Sequence, residues 1–284
     1  MHFTTEIACT FQETEESQVL KAEGLTKVYV NRQRRGWFRS ERKEAAAVVD
    51  LDLTLSPGQI AGLLGLNGAG KTTTIKMLST LLEPTRGRAE IDGLDLVKDA
   101  HTIRRRVNMI AGGERMLYWR LTGRENLWYF AQLYDVDPAV VKPRIEELLA
   151  LVGLTEAADT PVERYSKGMK QRLQIARGLI NDPSYIFMDE PTLGLDAPVA
   201  RELRRFSKDL STEKGKAILL TSHYMFEVEE LCDYIYVIDR GRLVAEGTPA
   251  ELKARTQKDK IIKVTLPEYN GDLAAALALV AESN

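Results

Sequence analysis

Residues 65–72 read G-L-N-G-A-G-K-T, between an apolar run at 60–66 and a helix-like run at 73–82. A glycine-rich loop between a strand and a helix commits the chain to an α/β architecture around an anion. Bare glycines let the backbone curl so that successive N–H groups point inward, and the helix start adds its partial positive charge. Asn67, Gly68, Gly70 and Thr73 belong to this cradle. Lys71 can reach the outer phosphates of a bound nucleotide, and the Thr72 hydroxyl can sit on Mg²⁺.

The 284 residues suffice for one large α/β domain with an appendage, or for two modest domains. A net charge of −2 predicts no global attraction to nucleic acid. No stretch approaches the ~18 apolar residues of a membrane span, and the N-terminus does not read as a signal peptide. Cys9 and Cys232 are too few and too scattered for a disulfide framework or a zinc site, which fits a reducing cytosol.

Residues 1–18 are polar and acid-rich and read as a flexible tail. Strand-like alternation follows at 19–30 and 46–55, around an Arg-rich insertion at 31–44 that carries Trp37 and Phe38. Beyond the loop come a strand near 88–91, a helix near 97–105 and a strand at 107–111. Helical patterns occupy 124–134, 142–152 and 167–180, and strands return at 185–188, 217–221, 234–238 and 243–245. This describes a nucleotide-binding α/β core with an inserted helical block at about 113–180.

Residues 185–190 read Y-I-F-M-D-E, an apolar strand ending in two carboxylates. Chemistry at the C-terminal end of a buried parallel strand is the expected arrangement. Asp189 is placed to hold Mg²⁺ through its water shell, and Glu190 to orient or deprotonate a water aimed at a terminal phosphate. Residues 165–172, Y-S-K-G-M-K-Q-R, put Ser166 at a helix N-cap with Gly168 leaving the first turn bare, so one chain offers two anion-binding helix ends.

The last segment resembles the signature sequence of ATP-binding cassette (ABC) proteins, in the form met in exporter ATPases. The resemblance spans about residues 19–252 and includes Gly194-Leu195-Asp196, similar to the D-loop, and Thr221-Ser222-His223, similar to the switch histidine. It implies a P-loop NTPase core with a mixed sheet, an antiparallel β subdomain and an inserted α-helical subdomain. It further implies ATP and Mg²⁺, with Glu190 and His223 catalytic and Tyr29 stacking on the adenine, whose other edge Val48 or Val49 would close. A second ABC subunit, identical or not, would present Ser166, Lys167, Gly168 and Met169 to the ATP held by the first chain, with Asp196 at the seam. A separate integral membrane permease would place the pair on the cytoplasmic face of the membrane, with no nucleic acid involved. The alternative is a soluble cassette ATPase that acts on nucleic acid or an assembly machinery without a permease.

One departure stands out. Where the family carries a glutamine after the strand at 107–111, this chain reads Gly112-Gly113-Glu114-Arg115, which leaves Glu114 as the candidate oxygen donor to the metal. The aromatic and Arg-rich stretch 117–127 resembles the surface on which a permease docks, and such residues give much contact area at low ordering cost. Residues 256–284 suggest a short α/β appendage.

Overall fold

The computed structural model describes residues 18–34, 40–111 and 117–256. The acidic tail, Trp37 and Phe38, Glu114 and nearly all of 256–284 lie outside the described residues. The chain divides into two units, Met1–Leu252 and Lys253–Asn284, and the first carries both sheets and every site residue discussed below.

Four short, largely apolar segments run parallel and side by side in a six-stranded sheet: β3 (Ile60–Leu64), β6 (Val107–Ala111), β7 (Tyr185–Asp189) and β8 (Ala217–Ser222). With β9 (Tyr234–Asp239) and β10 (Arg242–Gly247) the order is β10-β9-β3-β8-β7-β6, and only β10 runs antiparallel to its neighbour. β3, β6, β7 and β8 are buried along almost their whole length because both sheet faces are covered, and their few polar residues, among them Asp189, Thr221 and Ser222, fall mostly at the C-terminal ends. Alternation decides which residue goes where. Ile186 and Met188 join one core with the helical block, whereas Tyr185 and Phe187 join a second core with the antiparallel sheet and the first helix.

The antiparallel sheet has the order β2-β1-β4-β5, from β1 (Leu20–Arg34), β2 (Ser40–Leu55), β4 (Arg86–Ile91) and β5 (Leu94–Asp95). Of the insertion expected at 31–44, residues 31–34 and 40–44 therefore belong to β1 and β2. β1 and β2 continue pairing through Asn31↔Lys43, Arg32↔Arg42 and Arg34↔Ser40. The charged composition hid this, since neither strand has apolar alternation there.

Eight helices are described: α1 (Lys71–Leu78), α2 (Ala100–Arg104), α3 (Gly123–Leu133), α4 (Pro138–Leu151), α5 (Lys167–Gly178), α6 (Ala197–Thr212), α7 (Met225–Leu231) and α8 (Pro249–Thr256). α3, α4 and α5 pack on one another as the inserted block. α5 is tied to the sheet by Arg177, which is 1% exposed. Its guanidinium donates to the Met109 carbonyl on β6 and to Gln174 Oε1 (3.0 Å), and lies 5.0 Å from the Phe130 ring centroid on α3. Burial pulls its pKa below the usual arginine value. The fold is thus the expected one: a P-loop α/β core with a mixed sheet, an antiparallel sheet and a helical insertion.

Candidate nucleotide site

Parallel strands deliver their C-terminal ends to one edge of the sheet, and the register determines which residues meet there. Leu64 pairs with Ser222 and Asp189 with Thr221, so the ends of β3, β7 and β8 lie side by side. The glycine-rich loop leaves β3 at this edge and closes onto α1. A Cβ at Gly65 would run into the Ile238 carbonyl oxygen, and one at Gly70, where φ is +108°, into that of Ala47. Neither position tolerates a side chain. Around Gly68, where φ is +84°, there is open space, and the exposed backbone of Asn67 and Gly68 borders it.

Lys71, 5% exposed, turns its ammonium into the loop. It donates to the carbonyls of Gly65 (2.7 Å) and Leu66 (3.3 Å) and stands 3.3 Å from Glu190 Oε1. The same carboxylate oxygen is 3.3 Å from His223 Nδ1. Glu190 itself has φ of +47°, a left-handed conformation that a non-glycine residue adopts at a cost of about 1–3 kcal/mol. The surroundings hold it there: its N–H donates to Thr221 Oγ1 (2.9 Å), and its carbonyl accepts from Leu193 N (3.1 Å).

Beside this cluster, Thr72 Oγ1 and Thr221 Oγ1 both donate to Asp189 Oδ1, at 3.1 and 2.8 Å. An exposed hydroxyl and a half-buried carboxylate in contact form an all-oxygen donor set, which suits the hard cation Mg²⁺. The loop, Lys71, Thr72, Asp189, Glu190 and His223 are therefore brought together at one edge, and Thr73 is the next residue of α1. Thr221 is the member whose part in it sequence reasoning missed; the register opposite Asp189 supplies the signal.

The remaining candidates stand elsewhere. Ser166 is the exposed N-cap of α5 and accepts from Met169 N (3.2 Å). Exposed Lys167 donates to the Gly194 carbonyl of its own chain, joining the start of α5 to the loop before α6. Gly168 and Met169 complete the first turn, and Asp196 is the N-cap of α6 without a side-chain capping bond. Tyr29, 40% exposed, sits on β1 opposite Ala45 with Lys27 Nζ 5.8 Å from its ring centroid. Val48 is buried, and a Cβ at Gly70 would come within 3.3 Å of its Cγ2, so Val48 flanks the loop. Glu114 lies outside the described residues.

The sequence profile of the family described as ABC transporter matches residues 48–193, which reach from Val48 past the glycine-rich loop and the signature helix to Asp189 and Glu190. The chain belongs to this family. The ABC transporter ATP-binding protein NatA of Bacillus subtilis is 42% identical over 210 residues, covering 74% of this chain and 85% of the relative. The daunorubicin/doxorubicin resistance ATP-binding protein DrrA of Streptomyces peucetius is 37% identical over 269 residues, covering 95% of this chain and 77% of the relative. Among solved structures, a dimeric ATP-binding cassette in a post-hydrolysis state bound to ADP and Pi superposes with a TM-score of 0.69 at 26% identity, covering 81% of this chain and 98% of that one. This cassette is an ATP-binding and ATP-hydrolysing subunit that works with ATP and Mg²⁺.

Proposed function

We propose that the chain drives a membrane exporter as one half of a head-to-tail cassette pair, with Glu190 and His223 as its hydrolytic residues. The carrying observation is the shared position of Glu190 Oε1, 3.3 Å from both Lys71 Nζ and His223 Nδ1. A triphosphate laid on the loop N–H groups and Lys71 presents its terminal phosphate to these side chains. Glu190 then orients and deprotonates the attacking water, while His223 and Lys71 hold charge that builds on the phosphate oxygens. Thr72 and Asp189 would hold Mg²⁺, which supplies charge neutralisation between the outer phosphates. Tyr29 packs on the adenine, with Val48 at its edge.

Ser166 and Lys167 to Met169 cap the ATP of a second subunit, because a helix N-terminus with a serine cap binds anions. Exposed apolar side chains support a covering partner: Leu66 in the loop, Leu193 before Asp196 and Phe226 after His223 are 75%, 47% and 73% exposed. The permease surface is read from Tyr118 and Trp119, both about half exposed, and from an adjoining groove of about 340 Å³ lined by Leu81, Arg105, Phe130 and Tyr134. Among the described residues no helix is long and apolar enough to cross a membrane. In this reading a separate permease supplies the path and holds the pair at the cytoplasmic face. Export is favoured over a soluble role by the similarity to DrrA, a resistance protein, across 95% of this chain.

The test is nucleotide trapping. Glu190→Gln should bind ATP, hydrolyse it at least about a hundredfold more slowly and accumulate as a pair in size-exclusion chromatography. Normal turnover, or ATP-bound chains that stay single, would remove this reading.

A further inference from the structure

We propose that Glu227 is a positioning residue that keeps Glu190 and His223 in register by bridging the two loops that carry them. The inference rests on the reading of Glu190 and His223 as the hydrolytic pair. Glu227 lies on α7 and is 5% exposed. Its Oε1 accepts from Thr192 Oγ1 (2.5 Å) and its Oε2 from Ser222 Oγ (2.7 Å). Thr192 stands two residues past Glu190, inside the turn closed by Leu193 N and the Glu190 carbonyl. Ser222 is the last residue of β8, directly before His223, and its Oγ also accepts from Tyr224 N (3.0 Å). One carboxylate thus holds the chain two residues past Glu190 and one residue before His223, the two partners in the 3.3 Å contact.

A carboxylate suits this place for a specific reason. Two hydroxyl donors converge on it from different loops, and an ionised carboxylate accepts on both oxygens, whereas a glutamine accepts only on its one oxygen and its NH2 group only donates. The Ser222 oxygen already receives the Tyr224 N–H, so its own proton points at Glu227. Short hydrogen bonds to an ionised acceptor are also about twice as strong as neutral ones, and burial leaves the carboxylate few alternative partners. The left-handed φ of Glu190 persists only where its neighbours fix it, and the Thr192–Glu227 bond does this from the loop side. The hydrogen bonds of the Glu227 carboxylate go to Thr192 and Ser222 and not to the loop glycines or Lys71, so its influence falls on the geometry of turnover.

The experiment compares steady-state ATP hydrolysis by the full chain with that of Thr192→Val, Glu227→Gln and the double variant, with Glu190→Gln alongside. Thr192→Val is nearly isosteric and leaves α7 untouched, so it stands even where Glu227→Gln folds poorly. Each single change should lower kcat about tenfold with KM for ATP moved less than about twofold, and the double should be no slower than the worse single, because both break one bridge. An unchanged kcat, a rise in KM alone, or a double variant whose loss is the product of the singles would overturn the bridge. Normal hydrolysis by Glu190→Gln would instead overturn the underlying assignment.

Discussion

Thr221 shows how one buried hydroxyl can serve two groups of the site at once. It is 0% exposed, donates to Asp189 Oδ1 and accepts the N–H of Glu190, which fixes adjacent carboxylates from a neighbouring strand. Replacing Thr221 with Val keeps the shape and removes both bonds, leaving the Glu190 N–H without its acceptor. Urea unfolding should find Thr221→Val less stable by about 1–3 kcal/mol. Its kcat/KM for ATP should fall about tenfold or more, since the carboxylates lose their common anchor. Stability and turnover both equal to those of the parent chain would show that Thr221 is only packing. Lys71, Asp189 and Glu190 were legible in the sequence because each follows a recognisable apolar strand or a glycine-rich turn. Thr221 was not, because its part depends on pairing with a strand 32 residues away, and register is a property of the folded sheet.

At the scale of elements, the helical block is organised by caps that hydrophobic periodicity does not register. α3 begins at Gly123, one residue earlier than its apolar pattern, through a capping box: Glu125 N donates to Thr122 Oγ1 (3.1 Å) and Thr122 N to Glu125 Oε2 (2.8 Å). α4 begins at Pro138 and not near 142, because Asp137 accepts from Ala139 N (2.9 Å) and proline is tolerated in the first turn. The turn before α3 is held from within by Asn126, 0% exposed, which accepts from Tyr118 N (2.9 Å) and donates to the carbonyls of Tyr118 (3.0 Å) and Thr122 (2.9 Å). This places Tyr118 and Trp119 on the surface, with Lys170 Nζ of α5 5.1 Å from the Trp119 ring centroid. The proposed docking surface and the signature helix are thus in direct contact. Asn126→Ala should cost about 2–4 kcal/mol through stranded buried groups and should weaken co-purification with a permease. ATP binding should survive, as the loop at 65–72 belongs to the sheet. Nucleotide titration beside a pull-down separates the two effects, and equal loss of both would place Asn126 in the general fold.

For the whole molecule, the decisive question is whether a site is completed by a second chain. The sheet edge gathers Lys71, Asp189, Glu190 and His223, while Ser166 caps a helix of the inserted block and is exposed. The sequence shows both anion-binding ends but cannot say which chain each one serves, because symmetry between copies leaves no mark on a single copy. Mixing variants answers this directly. Lys71→Ala removes the grip on phosphate, and Ser166→Arg puts a bulky cation where the cap would close, so each variant alone should be inactive. In a mixed pair, however, one site takes Lys71 from the Ser166→Arg chain and Ser166 from the Lys71→Ala chain, and is therefore intact. The other site carries both defects. Equal mixing with random pairing makes about half of the pairs mixed, so about a quarter of the sites should recover. In a Glu190→Gln background this recovery reads as trapped nucleotide, absent from either variant alone. If both ends belonged to one chain's own site, every chain in the mixture would keep its defect. A mixture that traps no nucleotide, although affinity tags show that mixed pairs have formed, would reject completion by a partner.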